Sequence, residues 1–273
     1  MTPRRNDNFI EVPEPMVMKL VVSELLVDYV YQHKPYRDAI LDLGKNFQAH
    51  LCGLILVNIR ADGRKFIIDG ASRVQVHIDK GIRYIWAEVM RGLTVQQEAA
   101  VYLIRAKNKQ RQPVDWFHAS VIAGDPECLI IQSILDERKI GIVSFATERG
   151  TPDYKATMSC VQTLLRIVRR DPSGHRLSET LDLILDTWGY AKAGLSKGFL
   201  ESIHGFLAQH ANEISRPSFI SKVGATEIVD ILEMARGLRF NTIPRMSLRS
   251  ATQRNIVELY NVGRSKGRIV NDA

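Results

Sequence analysis

Phe66-Ile67-Ile68-Asp69-Gly70-Ala71-Ser72-Arg73-Val74-Gln75-Val76 is the stretch that decides how this chain folds. An apolar run stops at Asp69-Gly70 and resumes with helical spacing, with an arginine one turn in. Such a strand-to-helix junction leaves the first backbone N–H groups of the helix without intrahelical partners and aimed outward, where they favour an anion. Gly70 permits a tight turn and the close approach of a phosphate to the backbone. Ser72 can cap or donate, and Arg73 adds a permanent positive charge with a forked donor set. The functional reading is a phosphate or nucleotide pocket built on Gly70, Ala71, Ser72 and Arg73. The plain alternative is a helix start capped by Asp69 or Ser72 with Arg73 solvated, and a Gly-x-x-Arg standing alone favours it.

The neighbours shift that balance. Lys19–Val22 reads as a short strand, and Asp28–Pro35 as an irregular aromatic and polar loop. Ile40, Leu43 and Phe47 recur at helical spacing. Leu54–Arg60 is a nearly continuous apolar strand, which Asp62-Gly63 joins to Lys65–Asp69 as a hairpin. Arg83–Val89 alternates, with Ile85, Ala87 and Val89 on one side. Thr94 and Gln97 then make a capping box that opens a helix running towards Asn108. A further helix begins near Pro113 and stops at Gly124-Asp125-Pro126.

This order of elements, with Tyr31-Gln32, Ile67–Arg73, Gly92-Leu-Thr94 with Glu98, Asn108-Lys-Gln-Arg111 and Ala123-Gly-Asp125, resembles the ParB/sulfiredoxin superfamily. The likeness is to ParB-like N-terminal domains of bacterial, phage or mobile-element proteins, and it covers about residues 15 to 125. The resemblance implies an α+β fold: a small mixed-sheet domain over 15–125, followed by an all-helical domain over 126–273. It also implies a nucleoside triphosphate, with CTP one choice, bound with Mg2+. Gly70, Ala71, Ser72 and Arg73 would form one phosphate cradle, Asn108 and Arg111 a second, and Tyr31 and Gln32 would lie near the base or the nucleic-acid side. A triphosphate needs backbone amides and fork-shaped cations together, so the set is chemically coherent. DNA is the partner implied, and a homodimer is compatible with it.

The chain departs from the family pattern where partition proteins often carry an acid beside the glycine, for here stand Ala71 and Ser72. Sulfiredoxins place their reactive cysteine where this chain has Ala71, and Cys52, Cys128 and Cys160 lie outside the motif. Nucleotide binding is therefore expected to survive these changes better than hydrolysis, and sulfinic-acid repair is not expected. Two alternatives stand beside the lead reading. One is a magnesium-dependent nuclease or nucleotide hydrolase, and the other a degenerate ParB-like scaffold for protein–protein interaction.

At 273 residues the chain can hold one large or two modest domains. No apolar run approaches a membrane span, and Met1–Arg5 leads into polar sequence unlike a signal peptide. Three scattered cysteines make neither a disulfide framework nor a metal motif, so a cytoplasmic setting is expected. The net charge of +7 and pI of 9.4 favour an anionic partner.

Beyond Pro126 the pattern is mostly helical, with Ile140–Ala146 extended and Thr147–Pro152 as a linker. Helices are expected at about 154–169, 178–188, 198–212, 217–222, 226–236 and 248–262. Pro217–Leu232 has a helix-turn-helix outline around Gly224, but Glu227, Asp230 and Glu233 would face phosphates and weaken binding, which favours an ordinary αα-corner. The C-terminal cations Arg245, Arg249, Arg254, Arg264, Lys266 and Arg268 are the stronger nucleic-acid candidates, opposed only by Glu258 and Asp272. They read equally as the solvated face of a helix docked through Ile256 and Leu259.

Overall fold

The computed structural model describes residues 12–45, 47–106, 113–143, 154–242, 246–265 and 267–270. Five strands form one mixed sheet: β1 (Met16–Val21), β2 (Leu25–Val27), β3 (Ile55–Ile59), β4 (Lys65–Asp69) and β5 (Tyr84–Arg91). Their order is β1-β5-β3-β4-β2. β1 runs antiparallel to β5 and β3 antiparallel to β4, whereas β3–β5 and β2–β4 are parallel. The expected hairpin forms, with Ile59 opposite Lys65 and Gly63 donating to the Arg60 carbonyl. The strand expected at Lys19–Val22 starts earlier and stops at Val21. A three-residue 3-10 turn then leads into β2, whose short Leu-Leu-Val run carried too little alternation to be read as a strand.

β3 sits mid-sheet and is buried on both faces, which is why it reads as a nearly continuous apolar run instead of an alternation. Ile55, Val57, Ile67, Ile85, Ala87 and Val89 face one side, where Val74 of α2 (Ala71–Asp79) packs. Leu56, Ile68 and Met90 face the other, against Leu93, Ala99, Val101 and Tyr102 of α3 (Val95–Ala106) and its approach, and Ala119 of α4 (Pro113–Ala123). Each fully buried Ile or Val on these faces contributes about 1.5–3 kcal/mol relative to exposure. α1 (Arg37–Lys45) packs beside α2. The Thr94–Gln97 capping box forms as expected: Gln97 N–H donates to Thr94 Oγ1 at 3.2 Å, and Thr94 N–H to Gln97 Oε1 at 2.9 Å.

The chain forms two compact units, Met1–Cys128 and Leu129–Ala273, the division falling within α5 (Pro126–Glu137). The second unit is not purely helical. β6 (Ile140–Ile142) pairs in parallel with β7 (Ala156–Met158), so the helix expected from 154 begins only as α6 (Val161–Arg170). Gly141 leaves room there for the Tyr154 ring, since a Cβ would fall 2.3 Å from it. The proposed linker Thr147–Pro152 lies outside the described residues.

α7 (His175–Trp188), α8 (Lys197–His210), α9 (Arg216–Lys222), α10 (Ile228–Asn241) and α11 (Leu248–Asn261) complete the unit. They enclose Phe199, Phe206, Phe219 and Tyr260, with Trp188 edge-on to Phe199 at 5.2 Å. Arg138 ties α5 to α7 through a bidentate pair with Asp182 at 2.7 and 2.8 Å. Among the described residues no helix is long and apolar enough to cross a membrane.

Candidate functional site

The junction between β4 and α2 turns on Gly70, whose φ of 108° is open to glycine and strained for any other residue. Space enforces the same choice, because a Cβ there would lie 2.5 Å from Ile55 Cγ2. Gly70 itself is the N-cap residue and, having no side chain, brings no capping group of its own. The first intrahelical bond is Val74 N–H to the Gly70 carbonyl, so the N–H groups of Ala71, Ser72 and Arg73 precede the ladder. They open on a cleft of about 840 Å³ lined by Gly70–Arg73, α1, Gln32, His33, Pro35, Tyr36, Tyr102 and Arg105.

Arg73 is not solvated. Nη1 donates to the Leu54 carbonyl at 2.5 Å and Nη2 pairs with Asp69 Oδ2 at 3.1 Å. Its fork clasps the approach to β3 onto the end of β4, directly beneath the turn. Arg105, on the cleft wall, is ion-paired with Glu88. Gln32 lines the cleft but spends its amide on the Ile67 carbonyl at 2.5 Å, fixing the loop against β4. Asn108 and Arg111, the second cradle, lie outside the described residues.

Tyr31 corrects the expectation of a residue on the ligand side. It is buried, edge-on to Tyr102 at 5.6 Å, and its hydroxyl donates to Glu98 Oε2 at 3.1 Å. Burial, and then the Glu98 charge, push that hydroxyl far above the ordinary tyrosine range.

Glu98 is the centre of a polar cluster that the sequence did not disclose. It is 0% exposed, accepting from Asn58 Nδ2 at 2.6 Å and from Arg60 Nε and Nη2 at 2.8 and 2.5 Å. Arg60 also reaches Asp28 Oδ2 at 2.6 Å and stacks 3.6 Å from the Phe66 ring centroid. Its hydrogen bonds to Glu98 hold the guanidinium above its ordinary range. The one sequence signal was Glu98 itself, an acid at a position where α3 turns inward.

Among the described residues no group of three or more His, Cys, Asp and Glu side chains is placed to hold a metal ion. Burial pushes the Cys160 thiol up to about 11, which leaves it a poor nucleophile at neutral pH.

In the second unit the C-terminal cations do not form one stripe. Arg249 and Arg254 stand roughly 140° apart around α11, and Arg254 pairs with Glu258 at 3.1 Å. Arg264 lies 4.1 Å over the Tyr260 ring and donates to the Gly267 carbonyl, while Arg268 is exposed. Arg245 and Lys266 lie outside the described residues. Around Gly224, α9 and α10 form the short corner expected. A Cβ at Gly224 would fall 2.3 Å from the Ile220 carbonyl oxygen, and Glu227, Asp230 and Glu233 are exposed.

No family model and no curated protein matches the chain. Among solved structures it is similar to the C-terminally truncated chromosome-partitioning protein ParB from Caulobacter crescentus complexed to the centromeric parS site. The identity there is 12%, over 88% of this chain and 99% of that one, with a TM-score of 0.34. It is also similar to two structures of a pNOB8-like ParB N-domain. One is 13% identical over 92% of this chain and 99% of that chain (TM-score 0.38). The other is 11% identical over 93% and 100% (TM-score 0.41).

Proposed function

We propose that the first unit binds a nucleoside triphosphate, CTP among the choices, at the Gly70–Arg73 turn, and that the chain acts on or near DNA. The observation that carries this reading is the start of α2, entered through Gly70 in a left-handed conformation and opening on a cleft of about 840 Å³. Three backbone donors, the Ser72 hydroxyl and the positive end of a nine-residue helix converge there, a donor set suited to phosphate. Gly70 lets the ligand approach the backbone. Arg73 acts as a positioning residue, holding the turn through Leu54 and Asp69.

Asp42 and Asp69 line the same cleft and are the hard oxygen donors that Mg2+ takes together with phosphate oxygens. A bound Mg2+ would offset the triphosphate's charge. Binding is proposed without turnover, because neither Ala71 nor Ser72 offers a carboxylate beside the glycine. The DNA part rests on the net charge of +7 and on the resemblance of residues 15–125 to ParB-like domains.

The test is calorimetric titration with CTP, ATP, GTP and UTP in Mg2+, comparing the wild type with Ser72→Asp. That substitution puts a carboxylate in the first turn of α2, where the helix end favours it but a phosphate is repelled. Saturable binding of one nucleotide in the wild type, weakened at least about tenfold in a variant of unchanged Tm, is the expected result. No binding to the wild type overturns the reading.

A further inference from the structure

Arg166 and Arg170 stand one turn apart on α6, and Arg249 of α11 comes up beside them across α8. Together with Thr163, Glu201 and His204 they line a narrow cleft of about 10 Å³, room for about one water-sized atom. Glu201 is the only acid on its wall, and it is occupied: Thr163 Oγ1 donates to it at 2.9 Å and Arg166 Nη1 at 2.8 Å. Arg170 and Arg249 form no ion pair among the described residues.

The placement of Arg249 argues against a purely structural role. It lies in the first turn of α11, where the helix end already carries positive partial charge and an acid would be the stabilising choice. Its guanidinium is seated on Gly205, where a Cβ would fall 2.5 Å from Nη2 and 1.9 Å from Gln253 Nε2.

We infer that Arg166, Arg170 and Arg249, grouped around His204, form an anion site in the second unit that takes one phosphate group, with a phosphate oxygen entering the cleft. The half-buried His204 senses the same field. Burial first, and then Arg249, Arg170 and Arg176, hold its pKa below the ordinary value, with Asp171 opposing and Thr180 Oγ1 3.4 Å from Nδ1. A nucleic-acid backbone and free phosphate offer the same chemistry. The nucleic-acid source rests on the DNA reading above, and the free-phosphate source does not.

The experiment uses the full chain in a Ser72→Asp background, which silences the α2 cleft. In one arm, affinity for a labelled duplex is measured against salt for Arg170→Gln, Arg249→Gln and the double variant. A shared phosphate predicts that the slope of log K against log salt falls by about one in each single variant, and by about one again, not two, in the double. In the other arm, the His204 ring resonance, assigned with His204→Gln, is titrated against pH with and without inorganic phosphate. Phosphate should raise the His204 pKa in the parent and leave the double variant unmoved.

A non-additive fall in slope assigns the site to a nucleic-acid backbone. A phosphate response of His204 with unchanged slopes assigns it to free phosphate. An additive fall of about two shows separate surface contacts and overturns the site, as does a null result in both arms. If the chain binds no duplex at all, the DNA reading fails and the phosphate arm alone decides.

Discussion

Arg60 and Arg249 are both guanidinium groups held on well-packed elements, yet one is surrounded by acids and the other by cations. Arg60 meets Glu98 and Asp28 and stacks on Phe66, so its charge is matched inside the first unit. Arg249 shares one cleft with Arg166, Arg170 and a histidine, with one carboxylate that is already taken. A matched charge is an architectural device, and its removal should be felt as lost stability. An exposed group of like charges repels itself, which an anionic ligand can relieve, so its removal should be felt as lost binding.

Glu98→Ala gives the largest expected effect, because it leaves Arg60 and Asn58 facing each other without the buried carboxylate. Breaking a buried pair of this kind costs about 3–5 kcal/mol. Urea denaturation should show the loss, and a change below about 1 kcal/mol would place the cluster with weak surface pairs. Gly70→Ala comes next, combining a positive φ with a Cβ pressed on Ile55. It should lose about 1–3 kcal/mol on the same assay, and nucleotide affinity should fall with it.

On the other side of the comparison, Arg249→Gln should change stability by no more than about 0.5 kcal/mol, in the stabilising direction, without ligand. A loss of more than about 1 kcal/mol would mean that Arg249 holds the fold instead of waiting for a ligand.

The smallest effect is a pH dependence. His204 has its folded pKa depressed below the ordinary 6.5, so the unfolded chain takes up its proton first as pH falls. Its contribution is fully present above 6.5 and is lost as pH drops through the lower folded value. Arg249→Gln should flatten that decline in a series of Tm measurements below neutrality, and an unchanged profile would remove Arg249 from the field at His204.

What the sequence disclosed was local. The Asp62-Gly63 hairpin, the Gly70 turn and the Thr94–Gln97 box each declare themselves within a few residues, through turn and capping chemistry. β2 did not, because three residues against β4 carry no period of their own and form only through a parallel partner 40 residues on. β7 was absorbed into a helix for the same reason, its partner β6 lying across residues 144–153. In the candidate site, the strand-to-helix turn was legible from Gly70, but the clasp of Arg73 on Leu54 and Asp69 was not, since a forked cation looks the same in sequence whether free or spent. Arg170 and Arg249 are separated by most of the second unit, and only the packing of α6, α8 and α11 brings them to one cleft.

Asn58 on β3 and Arg60 just past its end sit two positions apart and reach the same carboxylate. Side chains on a strand alternate between faces, so sliding β3 by a single residue would send both to the opposite side of the sheet. Glu98 would then be sealed in with its charge, without its cation and with only the Tyr31 hydroxyl of the donors described above. Apolar neighbours tolerate such a slip far better, because one branched aliphatic replaces another at modest loss. The acid on α3 thus sets an energy gap between one alignment of the central strand and the alignments a residue to either side.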